Sequence, residues 1–254
     1  MSYEGGPLPP ANAVTALEGA LARWEEIVFG DVGDITYPPS GLTASTCSLV
    51  DASILNGAFI EDVSLVLAIA PFDGPGQTLA RGGPCGYGRV GTPAVISGQI
   101  SLDEADVAIA SATYLETIVW HEIAHAMGIG TVWQGSLMGA GGPSPAHHGA
   151  NTNVEWRMLA PFDGVPVQPS VEAHWDEAWL DSEIMTPVTE GPFGAAPISR
   201  VTIGALLDLG WTADLTAADP YTLPGCASSC TLVAPGPVVP FDIVVVDSLI
   251  PLPK

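Results

Sequence analysis

The sequence predicts an α+β protein. Two kinds of hydrophobic pattern point to it: helical spacing near residues 12–29, 113–127 and 199–210, and Val- and Ile-rich extended runs near 62–72 and 92–103. Composition is the third observation. A chain of 254 residues, 47% of them apolar, supplies a buried core for one substantial domain or two small ones.

Residues 1–11 read as an N-terminal extension. The first element, NAVTALEGALARWEEIVF, sets Val14, Leu17, Leu21, Trp24, Ile27 and Val28 on one helical face with charges between them, and Gly30 offers its stop. Gly and Pro punctuation then leads into DVSLVLAIAPF and TPAVISGQISLD, which read as strands. A second helix is predicted over 113–127, where Thr113 and Glu116 have capping-box spacing and Gly128 follows. From Gly128 to about Val171 little periodicity is visible, which predicts a long surface excursion. Ser199 then caps the third helix, within ISRVTIGALLDLGW, and Gly210 ends it. Pro220, Pro224, Pro235, Pro237, Pro240, Pro251 and Pro253 mark residues 213–254 as extended edge strands or a linker.

Charge narrows the function. Acidic residues outnumber basic ones 28 to 6, a formal net charge of -22, and such a field repels phosphate backbones and anionic lipid. Nucleic acid and membrane surfaces are therefore poor partners. The acidity serves solubility first, although clustered carboxylates would also suit a hard cation such as Ca2+. No apolar run has the roughly 18–20 residues needed to span a bilayer, so no transmembrane segment is expected. Cys47, Cys85, Cys226 and Cys230 allow three complete pairings. Cys47–Cys85 with Cys226–Cys230 is preferred over a zinc knuckle, because the close CxxC pairs of such knuckles are missing. Their even number favours an oxidising, extracellular or cell-envelope location. The opening MSYEGGPLPP lacks the basic and apolar regions of a signal peptide, so either the protein is cytosolic or the oxidising location requires an export signal outside these residues.

The chemistry lies in the second helix. His121 and His125 stand four apart, so both imidazoles leave the same face and can bind one divalent ion. Glu122 is rotated about 100° from the first ligand, where its carboxylate reaches an activated water rather than the metal. The surrounding Ile118, Val119, Ile123, Ala124 and Met127 are apolar. Burying three polar groups among them requires a partner, and a metal supplies one. A third ligand comes from elsewhere, since the compact HExxHxxGxxH pattern would need His where Thr131 stands. The candidates are His147, His148, His174 and Glu155; the adjacent His147 and His148 read as a solvated surface pair, whereas His174 precedes Met185 by eleven residues.

HEIAHAMGIGTVW, AHW, EIMTP and SRVTIGALLDLGW, in that order, resemble the metzincin clan, specifically leishmanolysin-like metallopeptidases, in which a long insertion precedes the third histidine. The resemblance covers residues 12–212. It implies a twisted mixed sheet over an active-site helix, with an N-terminal subdomain to about residue 128. A C-terminal subdomain, 129–212, would carry the third ligand and the Met-turn. It also implies His121, His125 and His174 as zinc ligands, Glu122 as general base, Gly128 as the redirecting turn and Met185 as the Met-turn. Two departures stand out: no tyrosine closely follows Met185, and Ala124 replaces a common glycine. The expected function is zinc-dependent cleavage of protein or peptide substrates, with the strand near 94–102 pairing to an extended substrate. The alternatives are a catalytically silent, zinc-stabilised secreted binding or adhesion domain, and a zinc hydrolase for non-peptide amides or esters.

Overall fold

Helix α1 (Ala11–Ile27) buries Ala13, Ala16, Ala20, Trp24 and Ile27, a stripe of helical spacing whose small members permit close packing. The computed structural model describes residues 9–87, 95–133, 137–139, 145–169, 172–191, 196–224 and 250–251. After α1 come β1 (Ile35–Thr36), a 3-10 turn (Ala52–Leu55), and β2 (Phe59–Ile60), which pairs antiparallel with β1.

The main sheet begins with β3 (Ser64–Ala70), β4 (Ala80–Tyr87) and β5 (Val95–Asp103). β5 lies between the other two, parallel to β3 and antiparallel to β4. It is buried along its whole length, as a central strand covered on both faces should be. Of the predicted run 92–103, residues 92–94 lie outside the described residues.

At the end of β5 the Asp103 carboxylate accepts from the Ala105 and Asp106 N–H groups and starts α2 (Glu104–Val107). Then follows α3 (Ala112–Ala126). Its cap is Ser111, whose hydroxyl accepts from the Tyr114 N–H, and not the Thr113 predicted from capping-box spacing. The cap stands two residues earlier because Ser111 already satisfies an orphan donor there. Gly128, at φ +113°, then turns the chain in a conformation that favours glycine.

The stretch after Gly128 corrects the prediction of a surface excursion. β6 (Met138–Gly139), β7 (Ala146–His147) and β8 (Val165–Pro166) form an antiparallel sheet in the order β6-β7-β8. Between β7 and β8 lies α4 (Ala150–Trp156), and Trp133 and Trp156 are fully buried. Aromatic anchors spaced more than twenty residues apart hold this segment, and such spacing leaves no periodic trace in sequence. Helices α5 (Glu177–Leu180) and α6 (Arg200–Asp208) follow, α6 capped by Ser199 as predicted. Within the Pro-rich segment, β9 (Ile250–Pro251) adds to β4 in parallel, which completes a mixed four-stranded sheet.

The fold is therefore mixed α+β with open sheets. One core unites α1, α3, β5 and the C-terminal elements through residues such as Ile100, Ile118, Trp175, Leu206 and Leu223. A second, smaller core contains Tyr37, Cys47, Val50, Leu55, Cys85 and Ile96. Cys47 and Cys85 are joined by a disulfide within it, the pairing preferred from sequence; Cys226 and Cys230 lie outside the described residues. Among the described residues no helix is long and apolar enough to cross a membrane.

Candidate metal centre

Helix α3 carries His121, Glu122 and His125 into the interior, and all three are fully buried. His174, also fully buried, enters from the segment between β8 and α5. The His121 Nε2 lies 2.9 Å from the His125 Nε2 and 3.2 Å from the His174 Nε2. Two nitrogens bound tetrahedrally to one zinc ion at 2.0–2.1 Å would stand about 3.3 Å apart. The three rings thus converge on a space of metal-site dimensions.

Their protonation explains why this convergence matters. The His121 Nδ1 donates to the Ile184 carbonyl at 2.6 Å, and the His125 Nδ1 donates to the Ile129 carbonyl at 2.8 Å. A carbonyl can only accept, so each Nδ1 carries a proton. Burial pushes His121 down to about 4, and burial together with the neighbouring imidazoles lowers His125 and His174 well below the ordinary range. Neutral rings protonated at Nδ1 present lone pairs at Nε2. In His121 and His125 two such lone pairs face each other at 2.9 Å, an arrangement that a shared cation stabilises and that the neutral rings alone do not.

Glu122 completes the group. Both of its oxygens are buried without a hydrogen-bond partner, and burial pushes its carboxyl up to about 8. Strand β4 supplies the surface against it. A Cβ at Gly82 would stand 2.6 Å from Oε2 of Glu122 and 2.7 Å from its backbone oxygen, so only glycine permits this contact. At Gly98 of β5 a Cβ would meet that of Ala126 at 2.5 Å. These two glycines let α3 settle directly onto the sheet.

Compared with known proteins, the chain matches no family model and no curated protein.

Met185, fully buried, lies in a turn tied to this group: the preceding Ile184 supplies the carbonyl for His121, and the Met185 carbonyl accepts from the Trp175 N–H, next to His174. The remaining third-ligand candidates stand outside this three-histidine group. Glu155 pairs with Arg200 at 2.6 Å. His147 is not the solvated residue its loop composition predicts; it is fully buried, its ring packed beside Trp133 and Trp175, and burial pushes it down to about 4. His148 is half-buried beside it. A second grouping, Glu177, Asp181 and Glu190, has ligand atoms within 4.8 Å of one another. There burial, followed by neighbouring carboxylates, holds Glu177 up at about 7.

Sequence reasoning missed the Ile129 and Ile184 carbonyls and Gly82. Backbone acceptors carry no residue-type signature, and the close approach at Gly82 depends on strand-to-helix contact across forty residues of sequence. The expected substrate strand is also corrected. β5 has a neighbour on each edge, so its backbone is already paired. β4 is the strand that lies against Glu122, and β9 covers it only at Gly86 and Tyr87.

Proposed function

We propose that the chain is a zinc-dependent endopeptidase of the leishmanolysin-like metzincin type, with His121, His125 and His174 as metal ligands and Glu122 as general base. The observation that carries this reading is the meeting of three buried imidazoles at Nε2 beside a buried carboxylate with no protein partner. A purely structural site, as in a silent binding or adhesion domain, would gain nothing from Glu122 and would still carry its desolvation cost. When bound, zinc supplies Lewis acidity toward a carbonyl and toward water. A cation beside Glu122 favours its ionised form against the effect of burial, so that the carboxylate accepts a proton from the attacking water. The same group then returns the proton to the leaving amine. Gly82 keeps the β4 backbone beside that carboxylate, and the β4 edge opposite β5, which β9 pairs only at Gly86 and Tyr87, offers backbone groups to an extended peptide. The twisted metzincin sheet and the two-subdomain division belong to this reading, as does the secreted or cell-envelope location, which the Cys47–Cys85 disulfide fits.

The test is zinc content together with cleavage of an unstructured protein, for wild type and Glu122→Gln, with and without a chelator. About one zinc per chain and cleavage lost on chelation are expected. Glu122→Gln should keep its zinc and lose at least about 10²-fold in turnover. A variant that still cleaves at the wild-type rate removes Glu122 from the mechanism. Hydrolysis of small esters or amides without peptide cleavage would favour the non-peptide hydrolase.

A further inference from the structure

Among the described residues Glu183 is a buried carboxylate with an unusual share of donors. Its exposure is 1%. One oxygen, Oε2, accepts from the Met185 N–H at 2.7 Å. The other, Oε1, accepts from the Ser199 N–H at 3.0 Å, the Ser199 hydroxyl at 2.7 Å and the Thr202 hydroxyl at 2.6 Å. A buried carboxylate is retained at low cost only when donors surround it in this way.

What those donors belong to gives the carboxylate its consequence. Ser199 is the N-cap of α6 and Thr202 lies in its first turn, so Oε1 is anchored to a helix end. Oε2 is aimed at the turn that supplies the Ile184 carbonyl, and that carbonyl receives the Nδ1 proton of His121. The Thr202 hydroxyl also accepts from the Trp175 indole at 2.8 Å, while the Met185 carbonyl accepts from the Trp175 N–H at 3.0 Å. Trp175 adjoins His174. One carboxylate is therefore linked through the Ile184–Met185 peptide to the His121 imidazole, and through Met185 and Thr202 to Trp175, the chain neighbour of His174, while it holds a rigid helix cap on the opposite side.

We propose that Glu183 is a positioning residue of the metal centre, clamping the Glu183–Thr186 turn to the cap of α6 so that Ile184 fixes the tautomer and ring direction of His121. This rests on the metal-site reading above. Orientation by such outer partners typically governs metal affinity by about 10–100-fold. A glutamine has the same shape but must turn an N–H toward one set of donors. In Glu183→Gln the amide oxygen keeps the three donors of Ser199 and Thr202, and the N–H group opposes that of Met185. The substitution releases the turn while leaving the helix cap in place.

The experiment measures zinc affinity by chelator competition and the visible absorption of the Co2+-substituted full-length chain. Wild type, Glu183→Gln and Asp208→Asn are compared. Asp208 is the matched control, because it too accepts from four donors, on Asn151 and Thr152 at the start of α4. Zinc binding about 10–100-fold weaker with an altered Co2+ spectrum is expected for Glu183→Gln, with Asp208→Asn close to wild type in both. Wild-type affinity and spectrum in Glu183→Gln overturn the assignment, as does an equal loss in Asp208→Asn, which would indicate general destabilisation. If Glu183→Gln does not fold, Thr202→Val removes one donor and the Trp175 acceptor; unchanged affinity and spectrum there overturn it equally. Peptide cleavage is not the readout. Wild type that binds zinc but cleaves no peptide counts against the endopeptidase while affinity still judges Glu183, and wild type that binds no zinc overturns both.

Discussion

A histidine offers one nitrogen according to what holds the other, and here two backbone carbonyls make that choice for His121 and His125. The pair itself was legible from sequence, because two histidines four apart on an apolar helix share a face. The carbonyls were not, since any residue type could have supplied them. Burial sets the charge state of Glu122, and a cation bound beside it would act in the opposite sense. In the metal-free protein its folded-state value, about 8, lies above its ordinary value of 4.5, so the folded chain binds a proton that the unfolded chain has lost. Its contribution to stability therefore declines as pH rises from 4.5 to 8. His121 acts in the opposite sense: displaced from 6.5 to about 4, it contributes stability that is lost as pH falls through that interval. The prediction is that metal-free Glu122→Gln gains thermal stability relative to metal-free wild type, and that the gap widens from pH 5 to pH 8. A constant gap across that range would mean that Glu122 is not held protonated by burial.

At the scale of elements, the distance between α3 and the sheet decides what the site can do, and two glycines set it. Helix α3 and strand β5 were foreseen from sequence whereas β4 was not, and nothing local distinguishes Gly82 or Gly98 from a glycine in a loose strand. Their roles emerge only when β4 and β5 meet α3. The same limit applies to β7 and α4, whose burial depends on Trp133, Trp156 and Trp175 converging from distant segments. The two glycines should separate on substitution. Gly98→Ala places a methyl 2.5 Å from the Ala126 Cβ and pushes the helix away; overpacking of this kind costs about 1–3 kcal/mol, measurable by urea unfolding. Gly82→Ala presses on the Glu122 carboxylate itself. Displacement of a catalytic group by about 1 Å can cost about 10²-fold, so turnover should fall by that order while zinc content is kept. Equal kcat in Gly82→Ala and wild type would show that β4 does not set the position of the proposed base, Glu122.

Across the whole molecule, a net charge of -22 surrounds the proposed metal and peptide site. A field of that sign disfavours polyanionic partners, and the same field should select among peptides. A negative potential raises the local concentration of cationic substrates and the rate at which they arrive. Its reach shrinks from about 30 Å at 0.01 M salt to about 8 Å at 0.15 M. For two unstructured peptides of equal length, one with net charge of about +4 and one about -4, kcat/KM of the first should fall as salt rises over this range and that of the second should rise. kcat should change little for either, because the buried centre is shielded far less by salt than the approach to it. Parallel salt dependence for the two peptides would place substrate selection in local contacts along β4 instead of in the molecular field.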